Sequence, residues 1–221
     1  MINESSYREI VSYCKDHNVT LVAVSKTKPV SDIQELYDLG QKVFGENKVQ
    51  EILEKCSQLP ADIEWHLIGH LQTNKVKQVL PYVGLIHSVD SLHLMDEIQQ
   101  QALKLQKKIQ ILLQVKIAEE DTKYGLSGTE LNEILNRVGE NSFSHVEVRG
   151  LMGMASFTDN ETQVRAEFSA LKHKFDEIKK QGLVNVEQFD ILSMGMSGDF
   201  QIAVKEGSTM IRVGSLIFGE R

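Results

Sequence analysis

Apolar positions along the chain follow two alternating rhythms. Short unbroken apolar runs, such as Leu21–Val24, Ile111–Leu113 and Met210–Ile211 with its continuation, recur between longer segments whose apolar residues are spaced three and four apart. Unbroken runs read as strands covered on both faces, as in a parallel sheet; the wider spacing reads as amphipathic helices. Residues 3–17 open the chain as a helix, with Tyr7, Ile10, Val11 and Cys14 on one face. Strands are then expected at 21–27, 42–46, 64–69, 85–89, 109–117, 146–155, 189–194 and 210–218. Helices fill the intervals. The first is expected to open at Ser31, with Gln34 as its capping-box partner, and to stop at Gly40. The longest carries Val164, Phe168, Leu171, Phe175 and Ile178, and a short one starts near Asp199.

Eight strands alternating with helices predict a parallel sheet, because parallel neighbours need crossover connections. In a chain of 221 residues the expected fold is α/β, a single (β/α)8 TIM barrel spanning residues 1–221 as one domain. The helix after the eighth strand is missing from this pattern. The N-terminal helix is expected to fill that gap in the outer ring. An open doubly wound sheet is the alternative, but no Gly-x-Gly-x-x-Gly fingerprint follows the first strand. No Pro/Gly/Ser-rich linker or low-complexity segment divides the chain.

Composition narrows the function. The chain is 41% hydrophobic and 25% charged, ordinary for a globular protein. A net charge of −7 argues against a general nucleic-acid binder, though a local basic pocket for a small phosphate is compatible with it. The apolar runs are too short to span a membrane, and MINESSYREI has no signal-peptide pattern. Cys14 and Cys56 fall in helical segments and cannot form a disulfide framework, so a reducing cytoplasm is expected. No feature calls for a dimer, and a monomer is expected.

Candidate chemistry lies where the barrel places it, at the carboxyl ends of the strands. Lys26 ends the first apolar run. A lysine partly withdrawn from water gives up some preference for its charged form, and the neutral amine can attack a carbonyl. After the seventh strand comes Gly195-Met196-Ser197-Gly198-Asp199, and the eighth carries Arg212, Gly214 and Ser215. Glycines admit backbone N–H groups to a ligand, and the serines add hydroxyls; loops after strands seven and eight often bind phosphate in such barrels. Taken singly, Ser197 or Asp199 reads as a helix cap, and Arg212 as the partner of a buried carboxylate. An amine on the first strand beside an anion site on the last two suits pyridoxal phosphate, with Arg212 facing the pyridine nitrogen. A fixed cation there keeps that nitrogen unprotonated and the ring a weak electron sink.

VSKTKP at 24–29, FGENKVQE at 44–51, WHLIGHLQTNK at 65–75, LSMGMSGDF at 192–200 and RVGSLIFGER at 212–221 closely resemble the YggS/PROSC family of pyridoxal phosphate homeostasis proteins. The resemblance implies a fold-type III barrel like that of alanine racemase, without that enzyme's second β-domain. It implies a protein that binds and buffers pyridoxal phosphate in the cytoplasm and supplies it to dependent apo-enzymes, with no established catalytic turnover. Carried over by motif, Lys26 is the Schiff-base lysine and Arg212 stands near the pyridine nitrogen. Ser197, Gly214 and Ser215 match the phosphate contacts, and Asn47 lies beside the ring. The family usually has threonine where Ser215 stands, so the hydroxyl is kept and a packing methyl is lost.

Other residues attract weaker readings. His66 and His70 are expected to be satisfied structural histidines rather than a metal pair, since they lie across a strand end and not on one helical face. Gln72, Asn74 and Lys75 fall in a loop at the active face. Met152, Met154, Met194 and Met196 cluster at the ends of strands six and seven as core filling or as packing around a planar ring. Lys123 and Tyr124 follow strand five without an assigned role. Two further functions compete with the carrier. A racemase would need a second proton acceptor, which in alanine racemase is linked to the β-domain; at most slow racemase activity is expected. A sugar-phosphate enzyme would use Lys26 on its substrate and carry no chromophore.

Overall fold

Buried strands must find partners on both edges, and here the sheet closes on itself. The computed structural model describes residues 2–118 and 125–219. In chain order its elements are α1 (Glu4–Asp16), β1 (Thr20–Val24), α2 (Val30–Asp38), β2 (Val43–Glu46), α3 (Val49–Cys56), β3 (Glu64–Leu67), α4 (Val76–Val79, entered through a 3-10 turn at Thr73–Lys75), β4 (Val83–Val89) and α5 (Leu92–Leu105). There follow β5 (Ile109–Gln114), α6 (Gly128–Gly139), β6 (Val146–Met152), α7 (Glu161–Gln181), β7 (Ile191–Ser193), α8 (Phe200–Lys205), β8 (Met210–Val213) and α9 (Ser215–Phe218). The eight strands form a closed parallel barrel in sequence order. Closure is made by β1 on β8, with Val22 opposite Arg212 and Ala23 opposite Val213. The fold is the expected TIM barrel.

Alternation along each strand sorts side chains to two places. Val22, Leu85, Leu112, Met152 and Met210 fill the barrel lumen. Ala23, Phe44, Trp65, Leu67, Ile86 and Ile211 face the surrounding helices in the larger core. Gly150 marks a close approach in β6. Its φ is +155°, and a Cβ there would stand 1.7 Å from the Ile191 carbonyl oxygen, so only glycine fits.

Most strands are shorter at their carboxyl ends than the apolar runs suggested. β1 stops at Val24 rather than 27, β5 at Gln114 rather than 117, and β6 at Met152 rather than 155. Strand eight is corrected most. It ends at Val213, and Ser215–Phe218 is a turn of helix, not strand. A short apolar run fits a strand or a buried helical turn equally, and Gly214 makes the break between them. The eighth crossover position therefore holds a helix, α9, though of one turn only. α1 packs against it and against β1, and the Asn3 N–H donates to the Ile217 carbonyl at 2.7 Å. Nor does Ser31 cap α2. That helix begins at Val30 after Pro29, without a side-chain cap, and Gln34 reaches instead to Asp38 at 2.8 Å. Pro29 is the N-cap residue, and its carbonyl, not a side chain, accepts the Asp32 N–H at 3.2 Å. A capping box forms at α6, between Ser127 and Glu130.

Candidate active site

Lys26 is presented by a turn, not by the strand itself. The Ser25 N–H still donates to Gly45 in the ladder, after which the Lys28 N–H closes onto the Ser25 carbonyl at 3.0 Å. Thr27, at the bend, has φ +66°, a conformation that β-branched residues rarely adopt. Such strain costs roughly 1–3 kcal/mol and persists only where neighbours impose it. Here a buried charge cluster does so. The Thr27 N–H donates to Glu51 Oε2 at 2.6 Å. Lys55 Nζ binds Glu51 Oε2 at 3.0 Å, Glu46 Oε1 at 2.7 Å and the Ser25 carbonyl at 3.1 Å. Ser25 Oγ donates to the same Glu46 oxygen at 2.6 Å. Lys55 and Glu51 lie one helical turn apart on α3, which faces the outward side of β2 where Glu46 stands.

Burial dominates Glu46. It lifts the carboxyl from 4.5 to about 7, against the lowering effect of Lys55 and Ser25, and Oε2 has no hydrogen-bond partner. Burial also works against the Glu51 carboxylate, but the Thr27 N–H and Lys55 together hold it below its usual range. A carboxyl whose folded pKa is raised binds its proton more tightly when folded. Glu46 therefore carries no penalty below the unfolded value, and stability falls as pH rises through about 7. The shift corresponds to roughly 3 kcal/mol. Chemical denaturation of Glu46→Gln between about pH 5 and 8 is expected to be flatter than that of the unsubstituted protein. Parallel pH curves would reject this titration.

At the carboxyl ends of the strands the turn opens onto a cavity of about 640 Å³. Lys26, Asn47, Ser197, Arg212, Gly214 and Ser215 all line it. The turn after β1 and the start of α9 are neighbours because β1 and β8 close the barrel. A Cβ on Gly214 would meet the Val24 carbonyl oxygen at 3.0 Å. The Gly214 N–H donates to Ser197 Oγ at 3.3 Å, joining the two loops into a corner of hydroxyl and N–H groups suited to an anion. Asp199 precedes α8 without capping it. Its Oδ1 accepts the Met196 N–H at 2.5 Å and so shapes the loop that carries Ser197.

Arg212 is buried on the cavity wall, and among the described residues it makes no ion pair with a carboxylate. Its Nη1 donates to the Ser193 carbonyl at 2.9 Å and to Ser193 Oγ at 2.5 Å, and Nη2 donates to the Gly153 carbonyl at 3.1 Å. All three acceptors are neutral. Burial pulls the guanidinium down to about 10, opposed only by Asp199, so it remains a cation at neutral pH. Its five N–H groups exceed these three bonds, and the residue lines the cavity.

Both expected histidines are hydrogen-bonded. His70 Nδ1 pairs with Asp90 at 3.0 Å, and its ring also borders the cavity. His66 lies buried in the lumen between Glu64 and His87. The methionines divide: Met152 and Met194 are buried core, whereas Met154 and Met196 line the cavity beside Phe157. Gln72 and Lys75 border a smaller cleft with Asn47 and His70. Cys14 and Cys56 are free thiols, and burial pushes Cys14 up to about 11. Lys123 and Tyr124 lie outside the described residues. The Glu46–Lys55–Glu51 cluster and His87 were not anticipated. The one signal for Glu46 and His87 was a polar residue inside an otherwise apolar run, VFGE and LIHSV, and Glu51 and Lys55 read as ordinary charges on a helix.

A closed parallel barrel with an amine, a buried cation and an anion corner around one cavity defines a class of ligand-binding barrel. Residues 4–221 match the alanine racemase N-terminal domain family. A pyridoxal phosphate homeostasis protein from Aquifex aeolicus is 43% identical over 202 residues, covering 91% of this chain and 86% of that protein. The solved structure of PipY from Synechococcus elongatus with pyridoxal phosphate bound is 36% identical, with a TM-score of 0.83 over 91% of this chain and 93% of that one. An alanine racemase from Bartonella henselae, 16% identical with a TM-score of 0.70, shares the fold over 95% of this chain and 56% of its own. The chain belongs to the alanine racemase N-terminal domain family, in the group of the pyridoxal phosphate homeostasis proteins. Among the described residues no helix is long and apolar enough to cross a membrane.

Proposed function

We propose that this chain is a pyridoxal phosphate carrier that holds the cofactor on Lys26 and supplies it to dependent apo-enzymes. The observation that carries the reading is the shared cavity, which puts an amine, a permanent cation and an anion corner around one space. When bound, pyridoxal phosphate supplies an aldehyde that an unprotonated lysine amine attacks, with loss of water. Lys26 is the covalent anchor. Ser197, the Gly214 N–H and Ser215 bind the phosphate, Arg212 donates to the ring nitrogen, and Asn47 flanks the ring. The donor set fits: hydroxyl and N–H groups meet the anion, and a guanidinium already saturated on one side by neutral oxygens meets an acceptor nitrogen. Cofactor holding rather than turnover follows the names of the relatives. We further propose a monomer in the cytoplasm whose one binding unit spans residues 1–221.

Borohydride reduction of the loaded protein followed by peptide mapping tests the anchor. The pyridoxyl group is expected on Lys26; a label on another lysine, or none, defeats the assignment. Gly214→Ala tests the anion corner. Its new Cβ crowds the Val24 carbonyl and must displace the loop that meets Ser197. Equilibrium titration is expected to show cofactor affinity lowered roughly tenfold, about 1.4 kcal/mol, with the fold retained. Unchanged affinity would move the phosphate elsewhere.

A further inference from the structure

TIM-barrel lumens are normally packed with branched apolar side chains. This one is crossed by a line of polar groups. Arg212 Nη1 meets Ser193 Oγ at 2.5 Å, Ser193 Oγ meets His87 Nδ1 at 3.0 Å, His87 Nε2 meets His66 Nδ1 at 2.9 Å, and His66 Nε2 meets Glu64 Oε1 at 2.9 Å. The line starts at the cavity wall and ends at a carboxylate whose side chain is 53% exposed at the amino end of β3. Between those ends, Ser193, His87 and His66 are buried. Gly84 makes room for the terminal carboxylate, since a Cβ there would lie 2.9 Å from Glu64 Cγ.

With the serine proton used within the line, the two ends set the direction of every bond. A guanidinium can only donate, and an ionised carboxylate can only accept. Arg212 therefore fills a lone pair of Ser193, and the serine proton goes to His87 Nδ1. His87 must then carry its hydrogen on Nε2 and give it to His66 Nδ1. His66 in turn carries its hydrogen on Nε2 and gives it to Glu64. In this arrangement both rings accept at Nδ1 and donate from Nε2. Burial, with the His66 ring and Arg212 nearby, holds His87 well below the ordinary histidine range, in keeping with a neutral ring. The hydrogen bond from His66 holds Glu64 below the ordinary carboxylate range, in keeping with an acceptor. A hydrogen on His87 Nδ1 would instead take the second lone pair of Ser193 Oγ and leave the serine proton outside the line.

We propose that His87 and Ser193 are positioning residues for Arg212, held in one hydrogen-bond direction by Glu64 through His66, so that the guanidinium is fixed at the cavity wall before any ligand arrives. The chain itself stands on the lumen geometry; only its consequence for the cofactor rests on the function proposed above.

The test begins with ligand-free, nitrogen-15-labelled protein. Imidazole signals at neutral pH are expected to show hydrogen on Nε2 and a bare Nδ1 for both His66 and His87, and the Arg212 Nη hydrogens are expected as resolved, slowly rotating signals. A cationic ring or an Nδ1 hydrogen on either residue overturns the direction of the chain. Ser193→Ala is expected to broaden or lose the Arg212 signals while Ser193→Thr, which restores the hydroxyl, recovers them. Arg212 signals unchanged in Ser193→Ala overturn the positioning role. Where Ser193→Ala fails to fold, His87→Leu, which removes both ring nitrogens, replaces it with the same criterion. In loaded protein Ser193→Ala is expected to lower affinity on the order of tenfold and shift the absorbance maximum, with rescue by threonine. If the unsubstituted protein takes up no cofactor, the function proposed above fails, while the ligand-free signals still decide for or against the chain.

Discussion

Lys26→Ala protein, incubated with pyridoxal phosphate and freed of excess, is expected to emerge without the long-wavelength absorbance of a lysine-linked cofactor. No other lysine lines the cavity among the described residues, so no second amine there takes over the attachment. The phosphate corner and Arg212 remain, and weak non-covalent binding is expected to persist. The loss of the covalent bond should lower affinity by at least about two orders of magnitude, or about 2.7 kcal/mol. Because Lys26 projects from a turn whose anchors are Ser25, Thr27 and Lys55, the substitution should leave the fold intact. Spectra that match the unsubstituted protein would remove Lys26 from the site and reopen the reading in which the barrel acts on a different carbonyl compound.

The largest effect on stability is expected from Lys55→Met. Lys55 is buried among two carboxylates and a carbonyl, and its removal strands Glu46 in the space between β2 and α3. Breaking a buried pair from one side typically costs about 3–5 kcal/mol, because the remaining charge loses its partner and cannot reach water. Urea denaturation near pH 8 should show this loss. It should shrink as pH falls, since Glu46, without the lowering effect of Lys55, takes up a proton more readily still. The double variant Glu46→Gln with Lys55→Met should recover most of the loss, because neither member then carries a buried charge. A double variant as unstable as Lys55→Met would mean that the lysine acts through packing of its stem rather than through its charge. The same cluster clamps Thr27 in its strained conformation, so Lys55→Met should also slow cofactor loading even where the protein remains folded.

The barrel was legible because eight apolar runs separated by amphipathic segments admit few arrangements, and short crossovers force parallel neighbours. Lys26, Ser197, Arg212, Gly214 and Ser215 were legible because glycine, serine, lysine and arginine at the carboxyl ends of strands are more than a purely structural segment needs, whereas Asn47 was named only through the family motif. They meet at one cavity. The ends of the elements were not legible. Val213 and Ser215 belong to the same apolar run, yet one closes β8 and the other opens α9. The start of α2 was not legible either: Ser31 and Gln34 satisfy the local capping rule, yet the helix begins one residue earlier, at Val30.

What the sequence by itself determined is the order of the elements, their alternation, and the kinds of chemistry waiting at the carboxyl ends of the strands. These depend on local periodicity and on residue type, which a linear pattern carries. Only the tertiary structure decided which buried polar groups face one another. Glu46 and Lys55 are nine positions apart, His66 and His87 twenty-one, and Ser193 meets His87 across 106. The first two join neighbouring elements through packing and strand pairing, whereas the last is set by closure of the sheet, which brings β4 and β7 to one lumen. Until the ring is closed no distance between them exists to be read.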